Sequence, residues 1–223
     1  MPDRIGFRDR RDAGEQLATQ LGTHRCTDPV VLGLPRGGVP VAFVVARRLD
    51  ALLDVFVARK VGAPGHEEFG IGAIAEGWGD AVMSDSAALV GVGPVRFAEL
   101  VRREQVELAR RVGLYRGRRP LPTLTDRDVI VVDDGLATGV TAEAAVRALR
   151  MHRPARVVLA VPVAAPETVA RLAAVADDVV AVLAPEGFNA AGSWYDDFSP
   201  TSDREVLDLL AETAARWEAQ GGR

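Results

Sequence analysis

The 223-residue sequence has one cysteine and no long apolar run, and each of these scarcities excludes a class of protein. Because Cys26 is alone, an internal disulfide framework and a cysteine-rich metal site are both excluded, and the thiol is predicted to be buried or idle. No segment reaches the roughly 18 consecutive apolar residues of a membrane span, and the Arg- and Asp-rich N-terminus has no apolar signal core. We therefore expect a cytoplasmic protein with no membrane partner.

The overall charge is also small, at a formal −4. A chain without a general excess of positive charge is not expected to bind nucleic acid nonspecifically, although a local basic patch stays open. The length supports one substantial hydrophobic core. We predict one main domain with a small appended element.

One stretch, residues 129–141, organises the rest of the sequence. Its β-branched run, two carboxylates and small-residue loop, followed by a helical pattern, predict a strand, a turn and a helix from Thr141 to about His152. N–H groups at a helix start are unpaired, and Gly135 and Gly139 allow close approach of the backbone, so the loop is a candidate phosphate site. The hydroxyls of Thr138 and Thr141 could add donors.

The two acids ahead of this loop, Asp133 and Asp134, would repel a phosphate. They are therefore predicted to face hydrogen-bond donors, such as vicinal sugar hydroxyls, or a cation. A ligand that carries a phosphate group next to two vicinal hydroxyls is a ribose 5-phosphate. The triphosphate loop is excluded because Val140 stands where it needs a lysine, and the dinucleotide glycine pattern is absent. The alternative is an ordinary buried strand with a polar turn, but adjacent carboxylates there are costly unless their charges are used.

Residues 129–141 resemble the 5-phosphoribosyl-1-pyrophosphate (PRPP) binding motif of type I phosphoribosyltransferases. The resemblance implies a Rossmann-like α/β core, with a mainly parallel sheet flanked by helices, and a small hood. It also implies that Asp133 and Asp134 hold the ribose hydroxyls. In such enzymes the loop wraps the 5-phosphate, which here assigns Gly135, Leu136, Ala137, Thr138, Gly139, Val140 and Thr141.

Position 137 also bears on the acceptor. The 6-oxopurine enzymes of this family carry an acid where this sequence has Ala137, whereas adenine-type enzymes have the same Ala-Thr-Gly. The resemblance therefore argues against a hypoxanthine or guanine acceptor. The acceptor itself stays unassigned.

A second glycine loop precedes this motif. A predicted strand over 30–34 runs into Pro35, Arg36, Gly37 and Gly38, and a predicted helix follows to about residue 49. The arginine supplies charge and the glycines allow close approach, so this is a second candidate anion site, with a simple tight turn as the alternative. Parallel α/β sheets align such loops along one edge, and two anion loops suit a ligand with phosphate at both ends. In the family this loop grips the pyrophosphate, and members often have a cis non-proline peptide here.

Lys60 is the only lysine in a sequence with 27 Lys and Arg residues together, and it follows a third predicted strand over 53–58. Either a compact ammonium is needed at this position, or one lysine has survived a codon bias toward arginine. Orotate-type enzymes have a similar Arg-Lys in their catalytic loop, so the resemblance implies a pyrophosphate contact for Lys60. The Gly- and Pro-rich segment to residue 70 is predicted to be a mobile loop, a lid, and its candidate residues are His66, Glu67 and Glu68.

Two further features have open interpretations. A predicted helix from Pro94 and the linker after it carry arginines that form a solvated face, a subunit contact or a basic patch for an anionic partner. These arginines are Arg102, Arg103, Arg110, Arg111, Arg116, Arg118 and Arg119. In the 188–198 loop, Trp194 and Tyr195 could stack on an acceptor base or could pack against the end of the sheet.

The resemblance as a whole predicts a PRPP-dependent enzyme in which Arg36, Lys60, Asp133 and Asp134 are catalytic. It implies one phosphoribosyltransferase domain over 1–223, with a core of about 30–185 and a hood from the N-terminal segment and about 186–202. Mg²⁺ is expected as cofactor, held mainly through PRPP with the two aspartates as candidate ligands, and a homodimer is expected. The alternatives are a non-catalytic regulator that senses PRPP or a nucleotide, and a fold relative that has lost activity.

Overall fold

The computed structural model describes residues 6–24 and 26–219. The strands are β1 (Val30–Gly33), β2 (Leu52–Val55), β3 (Ala58–Ala63), β4 (His66–Ala75), β5 (Val82–Met83), β6 (Asp128–Val132), β7 (Arg156–Val163) and β8 (Asp178–Leu183). The α-helices are α1 (Arg10–Leu21), α2 (Gly38–Leu49), α3 (Ser86–Leu89), α4 (Pro94–Arg116), α5 (Val140–Arg150), α6 (Pro166–Leu172) and α7 (Asp203–Ala219). None of the helices in the described ranges combines the length and apolarity that a bilayer crossing requires.

A five-stranded sheet with the order β2-β1-β6-β7-β8 forms the centre of the molecule, and all its neighbouring strands are parallel. Alternate residues of β6 face the two sides of the sheet: Ile130 joins one buried cluster with α2 and α7, and Val131 joins another with α5. Strands covered on both faces become continuous apolar runs, as in β1, β6 and β7. The predicted fold class, a parallel α/β sheet flanked by helices, is confirmed.

The strand register brings the two glycine loops together. Gly33 at the end of β1 pairs with Val132 at the end of β6, and the Leu34 N–H donates to the Val132 carbonyl at 2.8 Å. The chain segments that follow these strands therefore start side by side at the carboxyl edge of the sheet. This is the edge at which parallel α/β sheets bind ligands.

The third predicted strand and the predicted lid need correction. The chain leaves the parallel sheet at Val55, and β3 then pairs antiparallel with β4 and β5 in a separate three-stranded sheet. Lys60 consequently lies within β3, opposite Ala73, rather than in a loop after a strand. Most of the predicted lid is a β-hairpin that turns at Gly65, which has a left-handed φ of +75°. Strand β4 continues to Ala75 and pairs antiparallel with β5, with Gly72 opposite Met83 and Ala73 opposite Val82.

The prediction for the arginines after Pro94 needs correction at one position. Arg116 was expected in a linker, among arginines for which a solvated face, a subunit contact and a basic patch were open. It is instead the last residue of α4 and is 7% exposed. Its Nη2 donates to Glu76 Oε1 at 2.6 Å and to the Val55 carbonyl at 3.0 Å, and its Nε lies 3.7 Å from Asp54 Oδ2. This buried ion network fixes the end of α4 to both sheets, because Asp54 lies in β2 and Glu76 directly follows β4.

Candidate active site

The two glycine loops touch each other through residues that tolerate no side chain. A Cβ added to Gly37 would lie 1.9 Å from Asp134 Oδ2, and one added to Gly38 would lie 2.5 Å from the Val132 carbonyl oxygen. Glycine is therefore required at both positions because the aspartate segment occupies the space of a side chain. The peptide bond between Pro35 and Arg36 is cis, in the loop where the family resemblance implies one.

The loop after β6 is held from outside by α6. The Ala137 carbonyl accepts a hydrogen bond from Thr168 Oγ1 at 2.5 Å, and the Thr138 carbonyl accepts one from the Arg171 guanidinium. Gly139 has a left-handed φ of +63°, and a Cβ there would lie 2.6 Å from Thr168 Cγ2. Helix α5 begins at the next residue. Since the first-turn N–H groups of a helix have no intrahelical acceptor, the start of α5 offers donors of the kind that bind anions.

The aspartates between the loops are electrostatically unfavourable in isolation. Burial raises the pKa of Asp133 well above its ordinary value, and the negative charge of Asp134 adds to this effect. Burial also raises the pKa of Asp134, while Arg10 opposes the rise. Two crowded carboxylates of this kind are stabilised by hydrogen-bond donors or by a cation, as sugar hydroxyls or Mg²⁺ would provide.

Arg10 is a residue of this site that the sequence did not reveal. Its Nε donates to Asp134 Oδ2 at 2.8 Å, its Nη1 donates to the Ser199 carbonyl at 2.8 Å, and its Cζ lies 4.0 Å from the centre of the Phe198 ring. The arginine thus connects α1, the aspartates and the segment before α7. No local pattern marks it, because its partners are distant in the sequence.

The segment proposed as an acceptor wall packs against the same loop. Tyr195 is 8% exposed, its hydroxyl donates to the Asp134 carbonyl at 2.7 Å, and its ring lies between those of Phe7 and Phe198. Trp194 is partly buried in the same cluster. Tyr195 therefore presents no open ring face, and its geometry is that of the packing alternative. The part of the N-terminal hood prediction that falls on residues 1–5 lies outside the described residues.

A cleft of about 720 Å³ adjoins the two loops. It brings together six of the residues predicted for the site, which are Arg36, Gly37, Lys60, Asp133, Asp134 and Thr141. The structure adds four arginines to its walls, namely Arg59, Arg96, Arg103 and Arg111. Among the described residues that line the cleft none is aromatic, and neither Trp194 nor Tyr195 is one of them.

Comparison with known proteins assigns the fold to a family. A family model described as "Phosphoribosyl transferase domain" matches residues 10–191. The chain belongs to the phosphoribosyltransferase family. The match covers both glycine loops and the whole parallel sheet, so the resemblance noted in the sequence is confirmed.

Individual relatives agree with this family assignment. Two proteins of Mycobacterium tuberculosis, from strains CDC 1551 and H37Rv and each named "Putative phosphoribosyl transferase", are 44% identical over 216 residues, which are 97% of this chain and 48% of each relative. The chain thus spans about half the length of the curated relatives that it matches. The crystal structure of TT1426 from Thermus thermophilus is 47% identical, with a TM-score of 0.79, over 93% of this chain and 99% of that one.

The predicted charged residues of this phosphoribosyltransferase-family protein differ in their positions relative to the cleft. Arg36 is exposed, and its Nη1 lies 3.9 Å from Asp203 Oδ1 at the start of α7. The side chain of Lys60 runs beside Gly70, where an added Cβ would lie 2.9 Å from the lysine Cδ. Of the lid candidates, Glu67 lines the cleft and His66 is exposed, while the side chain of Glu68 lies outside the described part of the structure.

The described part of the chain contains no metal site built from protein ligands alone. Within residues 6–24 and 26–219, no group of three or more His, Cys, Asp or Glu side chains is placed to hold a metal ion. Asp133 and Asp134 still fit a divalent cation as a pair of crowded carboxylates, provided that other ligands come from a bound substrate. This donor set suits Mg²⁺, which is commonly bound through one or two carboxylates plus substrate phosphates.

Proposed function

We propose that the protein transfers the 5-phosphoribosyl group of PRPP to a nitrogen atom of a small acceptor, with release of pyrophosphate. The observation that carries this proposal is the contact between the two glycine loops, with Asp133 and Asp134 between them. A ligand with phosphate at one end, a diol in the middle and pyrophosphate at the other end would satisfy all three parts of the site.

The proposed orientation of PRPP follows from the chemistry of each part. The loop 135–141 and the start of α5 would bind the 5-phosphate through N–H groups and threonine hydroxyls. Asp133 and Asp134 would accept hydrogen bonds from the ribose hydroxyls. Arg36, the Gly37 and Gly38 amides and Lys60 would bind the pyrophosphate.

In the proposed reaction the acceptor nitrogen donates its lone pair to C1 of the ribose, and the bond from C1 to pyrophosphate breaks. The bonding electrons leave with the pyrophosphate oxygen, and the acceptor nitrogen gives up its proton. Positive charge develops on the ribose ring, above the aspartates, and negative charge develops on the leaving group, beside Arg36 and Lys60. Electrostatic stabilisation of this kind commonly contributes about 3 to 4 kcal/mol for each well-placed donor.

Mg²⁺ is the cofactor that we propose, held mainly by oxygen atoms of PRPP, with Asp133 or Asp134 as the protein ligand. When bound, it would neutralise negative charge on the pyrophosphate. The acceptor stays unassigned. Of the two aromatic residues predicted to stack on an acceptor base, Trp194 stays a candidate, because the Tyr195 ring is buried against other side chains.

The oligomeric state and location belong to the same proposal. Several large apolar side chains on or beside α4 are exposed, and these include Leu89, Val95 and Val106 at 83%, 81% and 73%. Such a surface supports self-association as the expected homodimer. Light scattering in solution tests that state, and a monomer at all concentrations would refute it. A cytoplasmic location stays a prediction.

Two measurements together test the proposed function. Calorimetry should detect PRPP binding in the presence of Mg²⁺, and an assay across a panel of nitrogen bases should detect release of pyrophosphate. Binding with turnover supports the enzyme. Binding without turnover on any base favours the alternative, a regulator that senses PRPP, and failure to bind PRPP would overturn the proposal.

A further inference from the structure

One face of helix α4 forms a wall of the cleft. The residues on this face are Arg96, Leu100, Arg103, Glu104 and Arg111. Their spacings of three, four, seven and eight residues place them on one side of an α-helix. From Arg96 to Arg103 the helix rises by about 10 Å, so the guanidinium groups are distributed along the cleft and not gathered at one point.

The arginines on this wall differ in whether an acidic side chain neutralises them. Arg96 pairs with Glu99 at 2.6 Å, and Arg111 pairs with Glu107 at 3.0 Å. Arg103 forms no ion pair or side-chain hydrogen bond with any residue of the described ranges, although it lines the same cleft. One exposed guanidinium in the cleft therefore keeps its full charge and its donors.

Glu104, the acidic residue next to Arg103 in sequence, forms its ion pair with Arg59 and not with Arg103. Its Oε2 lies 2.6 Å from Arg59 Nη2 and accepts from Arg59 Nε at 2.7 Å. This pair joins α4 to β3, the strand that carries Lys60. The pair thus anchors the helix wall to the strand that also carries Lys60, and Glu104 neutralises Arg59 and not Arg103.

We propose that Arg103 forms an anion subsite on the α4 wall that binds the pyrophosphate group together with Arg36 and Lys60. This inference rests on the proposed function, because it takes the cleft as the PRPP site. A guanidinium forms two parallel hydrogen bonds to phosphate oxygens, which a lysine ammonium cannot do. Arg103 also lies outside the sequence motifs, so it extends the pyrophosphate site beyond the loop at 35–38.

The test is calorimetric titration of inorganic pyrophosphate with Mg²⁺ into the full chain and three variants. Arg102→Ala is the matched control, because Arg102 is the exposed neighbour on the same helix and does not line the cleft. We expect Arg103→Ala to weaken pyrophosphate binding roughly 10- to 100-fold, the effect of losing hydrogen bonds to a charged group. Arg102→Ala should stay within about twofold, as exposed charges contribute little. Arg103→Lys should lie between wild type and Arg103→Ala, since charge is kept and the bidentate geometry is lost.

Ribose 5-phosphate provides the second probe, since it lacks the pyrophosphate. Its affinity should be the same for wild type and Arg103→Ala, whereas PRPP affinity should fall in parallel with that of pyrophosphate. Wild-type binding of PRPP with no effect of Arg103→Ala overturns the subsite alone. A wild-type protein that binds neither PRPP nor pyrophosphate overturns the proposed function and the subsite together.

Discussion

Arg10 Nε donates to Asp134 Oδ2 at 2.8 Å, and Arg10 Nη2 lies 2.8 Å from the same oxygen. The two side chains are only 11% and 16% exposed. Helix α1, which lies outside the two glycine loops, is thereby joined to the carboxylate that we propose as a ribose contact. The ion pair between Arg10 and Asp134 therefore contributes both to the stability of the fold and to the charge balance of the site.

Arg10→Ala tests this coupling through stability. The substitution leaves Asp134 partly buried without its cation and beside Asp133, and it also removes the contact with the Phe198 ring. We expect a loss of about 2 to 3 kcal/mol in the free energy of unfolding, measured by urea denaturation at pH 7. The control is Arg8→Ala, whose partner Asp12 is one helical turn away and whose own side chain is 78% exposed. Its loss should be much smaller, because an ion pair of exposed side chains contributes little to stability, and equal losses for both variants would contradict the coupling.

Gly37→Ala tests the contact between the loops. A Cβ at this position would lie 1.9 Å from Asp134 Oδ2, so the aspartate or the loop must move. We expect PRPP binding by calorimetry to fall below detection while circular dichroism still shows a folded protein. Gly113→Ala is the matched control in α4, where an added Cβ has nothing within 4 Å. It should stabilise the helix by up to about 1 kcal/mol and leave PRPP binding unchanged. If Gly37→Ala binds PRPP with wild-type affinity, the contact between the two loops is not needed for PRPP binding.

The parts of the molecule that the sequence predicted are those with a local signal. The strand, loop and helix units around Gly37 and Asp133 combine a buried β-branched run with glycines in a short stretch, and both form as predicted. Strand β3 has no such signal, because its pairing depends on β4 and on two bulges next to Gly62. A strand with irregular register loses the alternation that marks it in a sequence.

The contacts of Arg10, Tyr195 and Arg116 could not be predicted from the sequence for a different physical reason. Arg10 and Asp134 are 124 positions apart, and Tyr195 and Asp134 are 61 apart. Neither contact is implied by the residues next to it, since an arginine after a helix cap and an aromatic residue in a loop are common. Likewise, the burial of Arg116 depends on Asp54 and Glu76, which come from other elements. Only the assembled fold reveals such contacts.

The two tyrosines of the sequence give a pH-dependent prediction. Burial raises the pKa of Tyr115 to about 12, and its hydrogen bond to the Asp203 carboxylate adds to the rise. Burial, reinforced by Asp134, raises the pKa of Tyr195 still further. In unfolded chains tyrosine ionises near pH 10. Between about pH 10 and 12 the folded state therefore holds more protons than the unfolded state, and stability must fall as pH rises through this window.

Absorbance titration at a wavelength specific for tyrosinate checks this directly. The folded protein should show almost no tyrosinate at pH 10.5, and in urea both residues should ionise near pH 10. In Tyr115→Phe the remaining tyrosine should stay protonated until the protein unfolds. A tyrosinate signal of half the maximum at pH 10 in the folded wild type would refute the burial and hydrogen bonding of at least one of the two side chains.

Asp133→Asn separates the function of the aspartate pair from its effect on stability. Burial and the neighbouring Asp134 raise the pKa of Asp133, so its ionised form opposes folding. The folded state then holds the extra proton, and wild-type stability falls as pH rises above the ordinary carboxyl pKa of about 4. Asparagine keeps an oxygen that can accept from the Asp134 N–H, as Asp133 Oδ1 does at 2.9 Å. We therefore expect Asp133→Asn to be more stable than wild type at pH 7, and equally stable near pH 3, where the carboxyl is protonated in both states.

The same variant should bind PRPP at least about 100-fold more weakly, because a charged acceptor for the ribose hydroxyls and a candidate Mg²⁺ ligand are lost together. Thermal unfolding at the two pH values and calorimetry with Mg²⁺ and PRPP provide both measurements. Ser193→Ala is a suitable control, since this exposed residue lies in the short 3₁₀ helix next to Tyr195 and should alter neither quantity. A gain in stability with unchanged PRPP affinity would show that the buried charge of Asp133 serves no ligand. A loss of stability at pH 7 would instead show that the ionised pair is compensated within the protein, so that no sugar hydroxyl or cation is needed to explain it.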